Sequence, residues 1–169
     1  MRILVWLAMW CLASVSSPLL ANWQQWPVVG SATLTWGFWT VYESHLRSPS
    51  GSYQTDRDLA LEINYLRDLS SRQLLKATDQ QWKKLGYSAT RRQSWLDSLD
   101  EVWPDVKKGD TLTFVKQPDG QSQFWFDNSV IAEFTDPDLS AAFIAIWLSP
   151  QTSYPRLRRQ LIGQASRLQ

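Results

Sequence analysis

Hydrophobic and polar positions follow a strand-like pattern between Val28 and Arg67, and both faces of the second predicted strand are half apolar, as expected for a sheet that is partly covered on both sides. Residues 32–36 and 38–46 have this character, and Gly37 is predicted to be a bulge or bend between two strands. One long bent strand is the alternative. Residues 59–67 alternate most clearly and predict a third strand.

The C-terminal half contains three short strand patterns followed directly by an apolar helix pattern. The strands are predicted at residues 111–116, 123–127 and 130–134, with tight turns between them. At Asp136 the period changes from two to 3.6, and the following residues are apolar on nearly every side until Pro150. A meander packed on a buried helix is therefore expected to form the centre of the fold.

Three more helices are predicted around this centre. Ser70 and Gln73 form a capping box before the first helix, and the Thr90 segment suggests a similar cap for the second. A basic helix follows Pro155. With no internal repeat and no long linker, residues 22–169 predict one α+β domain.

The first 21 residues have the pattern of a secretory signal peptide. Arg2 precedes an apolar run from Ile3 to Val15, and Leu19-Leu20-Ala21 is an acceptable cleavage site. We therefore expect a mature chain that begins at Asn22 and lies in the periplasm or outside the cell. Retention of this segment as a membrane anchor is the alternative, but the apolar run is short for a membrane span, so no transmembrane segment is expected after cleavage.

Composition excludes several kinds of site. The only cysteine, Cys11, lies in the predicted signal peptide, so a cysteine nucleophile or zinc-cysteine site is not expected. Loss of Arg2 leaves equal numbers of basic and acidic residues, which argues against a nucleic-acid partner. The chain has eleven tryptophans. They favour a bulky core or a cavity lined by indole rings.

The residues offer few candidates for catalysis. His45 is the sole histidine, so a metal site with several imidazoles is impossible and no metal or cofactor is predicted. The serines lack the setting of a catalytic nucleophile, and no glycine loop for phosphate is present. The catalytic residues, if there are any, stay unassigned.

A tyrosine and an arginine end the apolar face of the third strand. If residues 59–67 alternate throughout, Tyr65 and Arg67 point to the same side as the core. An interior arginine needs a carboxylate, which either the protein or a bound ligand can supply. The alternative is that Arg67, at the strand end, reaches solvent or an internal acid.

Three stretches of the sequence are typical of one protein family: Gly-Phe-Trp-Thr-Val-Tyr at 37–42, Leu-Glu-Ile-Asn-Tyr-Leu-Arg-Asp at 61–68, and the meander and helix from Val106 to Ser149. Through them the chain resembles the bacterial chalcone isomerase-like proteins. The resemblance implies an open-faced β-sandwich, in which helices cover one face of a large antiparallel sheet. It also implies a ligand cleft between the sheet and the helices.

The resemblance implies two functions. Plant enzymes of this family close a chalcone to a flavanone with the help of an arginine near the first core strand, but residues 29–32 contain none. Some non-catalytic members bind fatty acids by clamping the carboxylate between an arginine and a tyrosine. By chemical analogy, the candidate ligand-binding residues are Tyr65, Arg67 and Tyr42.

We therefore predict an exported, non-catalytic binding protein for a fatty acid or similar amphipathic ligand. The alternatives are a chalcone isomerase-type intramolecular lyase and a haem-binding or structural partner protein that uses His45.

Overall fold

The computed structural model describes residues 22–164. The predicted signal peptide lies outside them. The described chain contains one six-stranded antiparallel sheet whose strands follow one another in sequence order. The strands are β1 (Val28–Trp36), β2 (Trp39–Arg47), β3 (Leu59–Tyr65), β4 (Thr111–Lys116), β5 (Ser122–Phe126) and β6 (Ser129–Phe134).

Four α-helices accompany the sheet, and together they give the predicted α+β class. They are α1 (Ser71–Lys84), α2 (Ala89–Asp100), α3 (Pro137–Leu148) and α4 (Pro155–Leu161), and a short 3-10 helix occupies Trp23–Gln25. None of the helices between residues 22 and 164 is both long and apolar enough to cross a bilayer.

The helix ends agree with the sequence patterns except at α2. Ser70 and Gln73 form the predicted capping box, and Asp136 accepts a hydrogen bond from the Asp138 N–H at the start of α3. The predicted cap at Thr90 is wrong. Ser88 caps α2 by accepting from the Arg91 N–H, so the helix begins one residue before Thr90.

The main core lies between one face of the sheet and the helices. Phe114, Phe124 and Phe143 meet there with ring centroids 4.7–4.9 Å apart, and all three are buried. Trp103 packs edge-on against Phe124 and Phe143. Aromatic pairs at these separations add to the gain from burial, so this cluster holds α3 against β4 and β5.

The opposite face of the sheet is partly covered by the N-terminal segment. Trp23 and Trp26 are buried against Ala60 and Val115, and Trp23 packs edge-on against Trp125. The backbone carbonyl of Trp26 also accepts a hydrogen bond from the Arg47 guanidinium. This coverage agrees with the half-apolar character of both strand faces in the sequence.

Strands β1 and β2 form a hairpin, which decides between the two sequence alternatives. Trp36 pairs with Trp39 at its end, and Gly37 has a φ of 61°. A positive φ at the first turn position followed by an ordinary φ at Phe38 is the pattern of a two-residue type II′ turn, which favours glycine. Gly37 is thus a turn residue between two strands.

Helix α4 packs closely against the edge strand β1. A Cβ atom added at Gly30 would collide with the backbone carbonyl oxygens of Gln160 and Leu161. Glycine therefore permits the helix backbone to approach the strand.

Candidate functional site

A cavity of about 460 Å³, open to solvent on one side, lies between α1 and the face of the sheet that the helices cover. Its size is within the range of about 300–1,000 Å³ common for small-molecule sites. Most of its lining is apolar or aromatic, as expected for a ligand with a large hydrophobic part. Strands β1–β4 contribute Leu34, Thr35, Trp36, Val41, Tyr42, Ile63, Tyr65 and Leu112; the helices and connections contribute Leu69, Gln73, Leu74, Ala77, Thr78, Gln80, Gln81, Lys84, Trp103, Phe143, Ile146, Trp147 and Tyr154.

Two of the three predicted ligand-binding residues meet in the wall of this cavity. Tyr42 and Tyr65 are direct partners across β2 and β3, and their rings lie edge-on with centroids 6.1 Å apart. The Tyr42 hydroxyl accepts a hydrogen bond of 2.9 Å from the Trp147 indole N–H. Tyr65 makes no side-chain hydrogen bond to any residue in the described range, so its hydroxyl is available to a ligand.

Burial keeps these two phenols protonated. Loss of solvation raises the pKa of Tyr42 far above its usual value, and the nearby phenols of Tyr65 and Tyr154 raise it further, against a smaller opposing effect of the Trp147 hydrogen bond. Burial also raises the pKa of Tyr65. Both hydroxyls are therefore hydrogen-bond donors at any physiological pH, and neither can act as a base.

Tyr154 adds a third phenol from the segment before α4. Its hydroxyl accepts a hydrogen bond of 3.2 Å from the Gln81 side-chain amide, which ties α1 to this segment. Burial raises the pKa of Tyr154 as well. The sequence patterns did not indicate this residue, because it is distant from β2 and β3 along the chain and no strand periodicity includes it.

The mouth of the cavity is formed by one stripe of α1 and by the β1–β2 hairpin. Gln73, Ala77, Gln80 and Lys84 are spaced at three or four residues, are exposed, and also line the cavity. Trp36 faces them from β1. Lys84 is the sole cationic side chain in this lining. In the sequence, Lys84 lies next to the buried stripe of α1. This helix pattern could have indicated Lys84 as a site residue, whereas the strand patterns do not include it.

Arg67 lies outside this cavity. Strand β3 ends at Tyr65, so the alternation that would have turned Arg67 toward the core stops two residues earlier. Arg67 is exposed, and its guanidinium carbon lies 4.5 Å from the centre of the Trp39 ring. This contact is a cation–π interaction at the protein surface. The structure thus brings Tyr65 and Tyr42 together and places Arg67 apart from them.

Trp103 has a buried indole N–H without a hydrogen-bond partner. The side chain lines the cavity, yet its N–H finds no acceptor among residues 22–164. The N–H groups of Trp82, Trp95 and Trp147 all have acceptors. A buried donor without a partner is costly, so Trp103 contributes its ring and not its N–H to the wall of the cavity.

His45 lies in a different concavity. A groove of about 760 Å³ runs between the β1–β2 edge and the start of α4, and His45, Ser31 and Arg156 are among its lining residues. The His45 Nδ1 atom is 2.7 Å from the Ser31 hydroxyl oxygen. The groove and the cavity meet at Leu34, Thr35 and Tyr154, which line both, but Tyr42 and Tyr65 line the cavity alone.

The cavity is better suited to binding than to proton transfer. Its ionisable residues are three tyrosines with raised pKa values and Lys84; no carboxylate or imidazole is part of the lining. General acid–base catalysis needs a group that titrates near the working pH, which burial denies to the phenols. Across the described chain, no cluster of three or more potential metal ligands occurs.

Comparison with known proteins agrees with this architecture. A family model described as "Chalcone isomerase-like" matches residues 42–163, well over half of the chain. The chain belongs to the chalcone isomerase-like family. The predicted family and its open-faced fold are thereby confirmed, and Tyr42, Tyr65, Lys84 and Tyr154 all fall within the matched range.

Two known proteins are similar to this chain, one in sequence and one in structure. An uncharacterised protein of Haemophilus influenzae is 30% identical over 145 residues, covering 85% of this chain and 71% of the relative. The crystal structure of a fatty-acid binding protein from Arabidopsis thaliana superimposes with a TM-score of 0.61 at 11% identity. That similarity covers 80% of this chain and 86% of the plant chain, and it establishes a shared fold.

Proposed function

We propose that this chalcone isomerase-like protein is an exported, non-catalytic binding protein for a fatty acid or a similar amphipathic ligand. The observation that carries the proposal is the cavity itself. It combines an apolar interior, three protonated phenols and one lysine at the mouth. The fatty-acid binding of the Arabidopsis neighbour supports the same class of ligand.

The ligand is proposed to lie with its chain inside and its charged group at the mouth. Rings of Trp103, Phe143 and Trp147 offer apolar surface to the chain. A carboxylate buried away from a cation would be strongly destabilised, and Lys84 is the cation within the lining. The hydroxyls of Tyr42 and Tyr65 can donate to a further polar group along the ligand.

Isomerase activity has less support. Cyclisation of a chalcone requires the stabilisation of an anionic substrate oxygen, which the family's plant enzymes achieve with an arginine. Residues 29–32 contain no arginine, and Arg67 lies at the surface. Haem binding through His45 has no apolar pocket around the imidazole to support it, because the His45 groove is lined largely by polar residues.

Export remains part of the proposal because it depends on residues before the described chain. The pattern of Arg2, the apolar run and Ala21 supports cleavage before Asn22. Mass spectrometry of the protein recovered from the periplasmic fraction should give a mass that begins at Asn22. A mass that includes Met1 in that fraction would contradict cleavage.

The charge at the mouth can be tested with two neighbouring lysines. Lys84→Met keeps the length of the side chain but removes the cation, and we expect fatty-acid affinity to fall roughly tenfold, in the range of a charge-assisted hydrogen bond. Lys83→Met is the matched control, because Lys83 is also exposed on α1 but is not part of the lining. Isothermal titration with palmitate and with its neutral alcohol measures both effects.

The two ligands separate the charge from the chain. The alcohol should bind the wild type and Lys84→Met equally, since it has no carboxylate to pair. Equal palmitate affinity of Lys84→Met and Lys83→Met would contradict the proposed orientation. Absence of binding of both ligands to the wild type would contradict the proposed function.

A further inference from the structure

The tip of the β1–β2 hairpin exposes three aromatic side chains within four residues. Phe38 at the apex is fully exposed, and Trp36 and Trp39 are 80% and 59% exposed. Large apolar side chains on a protruding turn are unfavourable in water unless something covers them. Trp36, Phe38 and Trp39 together form a surface that we call the aromatic tip.

We propose that the aromatic tip docks the protein onto the surface of a lipid bilayer. Phenylalanine can enter the boundary of the acyl chains, while the two indoles offer apolar rings with an N–H that can bond to headgroups. Tryptophan favours this boundary for that reason. Because no helix between residues 22 and 164 can span a bilayer, the described domain would lie on the membrane and not in it.

The area of the tip favours a lipid over a protein partner. Three aromatic side chains present at most about 150–250 Å² each. Their sum falls short of the roughly 800 Å² that each partner contributes to a stable protein interface. A bilayer needs no such matched surface, since a protruding apex inserts between headgroups without shape complementarity.

Three cations lie at the same end of the sheet as the tip. The Arg67 guanidinium stacks over Trp39, and Lys107 and Lys108 are exposed in the neighbouring turn before β4. These three side chains form no ion pair with a carboxylate of the described residues. They are therefore free to meet the phosphates of anionic headgroups.

The acidic residues at this end are engaged with the backbone. Asp68 accepts from the Lys108 N–H at 2.8 Å, and Asp110 accepts from the Lys107 N–H at 2.7 Å. Asp127 accepts from the Thr111 N–H at 3.0 Å. Three aspartates still balance the three cations in formal charge, so we expect the aromatic side chains to dominate docking and anionic lipid to add a smaller effect.

Docking would present the cavity to the membrane. Trp36 belongs both to the aromatic tip and to the lining at the cavity mouth. A docked tip therefore places the mouth beside the headgroups, where an amphipathic ligand could pass between bilayer and cavity. Docking itself does not depend on the proposed function, whereas this role in ligand transfer rests on it.

Sedimentation with sucrose-loaded vesicles tests the docking. Wild-type protein should partition onto phosphatidylethanolamine–phosphatidylglycerol vesicles and somewhat less onto phosphatidylcholine vesicles. Phe38→Ser combined with Trp39→Ser should lower the partition coefficient roughly tenfold or more, because two apolar side chains are lost. Val28→Ser is the matched control, since Val28 is exposed at the opposite end of β1 from the tip, and it should leave partitioning unchanged.

Three results would overturn membrane docking. The first is equal partitioning of the tip variant and the wild type, and the second is no partitioning of the wild type. The third is a wild-type dimer in light scattering that does not bind vesicles and that the tip variant converts to a monomer.

Titration with soluble palmitate measures ligand binding independently of docking, because Phe38 and Trp39 are outside the cavity lining. Vesicle binding without palmitate binding would refute the cavity proposal and leave docking intact.

Discussion

The two halves of the helix-covered face use aromatic rings in opposite ways. Around β4 and β5, the rings of Phe114 and Phe124 are buried against each other and against Phe143 of α3, and only Phe143 of the three also borders the cavity. Around β2, β3 and α1, the rings of Tyr42 and Tyr65 surround a cavity of about 460 Å³. One half is a solid core, and the other is a lined space.

The hydroxyl groups explain why the halves differ. Phenylalanine rings have no polar atom, so close packing leaves nothing unsatisfied. Filling the cavity with apolar side chains would bury the Tyr65 hydroxyl without a partner, at a cost of about 1–3 kcal/mol. The tyrosines of this face are therefore compatible with an occupied cavity, whereas Phe114 and Phe124 are satisfied by packing alone.

The largest expected effect is in the solid half. Phe124→Ala should reduce the free energy of unfolding by about 3–5 kcal/mol, because a large cavity is left among packed rings. Leu34→Ala, at the cavity wall, should reduce it by about 1 kcal/mol, because the side chain is half-buried and already borders an open space. Urea unfolding measures both. Equal losses would remove the distinction between the two halves.

A smaller effect should separate the two tyrosines of the cavity. Tyr42→Phe removes the acceptor of the buried Trp147 N–H and should cost about 1–3 kcal/mol of unfolding free energy. Tyr65→Phe breaks no hydrogen bond within the described chain and should change stability by less than about 0.5 kcal/mol. Chemical denaturation of both variants checks the pair. A larger loss for Tyr65→Phe would contradict the assigned hydrogen bonds.

Alkaline pH should reveal the buried phenols through stability. Their pKa values are raised in the folded state, so the folded protein keeps protons that the unfolded chain releases above pH 10. Stability from these groups is therefore complete below pH 10 and falls as the pH rises, by about 1.4 kcal/mol per phenol at pH 11. Denaturation of wild type and Tyr65→Phe at pH 9 and 11 measures this. An equal loss in both would mean that the Tyr65 phenol ionises freely.

The smallest effect is expected at Arg67. Arg67→Gln should leave palmitate affinity within about twofold of the wild type, because the guanidinium stacks on Trp39 outside the cavity lining. Isothermal titration against Lys84→Met provides the comparison. A loss at Arg67 as large as the loss at Lys84 would restore Arg67 as the carboxylate partner.

Local patterns predicted much of the fold because they reflect local physics. The capping box of α1, the meander and the apolar α3 each follow from residues close together in sequence. Two strands separated at Gly37 were only one of two predictions there, and the other was one long bent strand. Glycine marked an unusual backbone there, but the sequence could not show whether the chain bent or reversed.

The site was less predictable because it depends on where elements end and cross. Alternation placed Tyr65 correctly, yet it carried Arg67 inward past the actual end of β3 at Tyr65. Lys84 and Tyr154 join Tyr42 only through the packing of α1 and the segment before α4 against the sheet. No pattern within a single element encodes these long-range contacts.

Native mass spectrometry of the protein purified from the periplasm tests the proposed binding function most directly. We predict one bound amphipathic molecule per chain, identifiable as a fatty acid or a similar lipid after organic extraction. Leu34→Trp, which places an indole at the cavity wall, should purify without it and remain folded. A wild-type protein that carries no lipid and does not bind palmitate when it is added would contradict a lipid-binding role for the cavity.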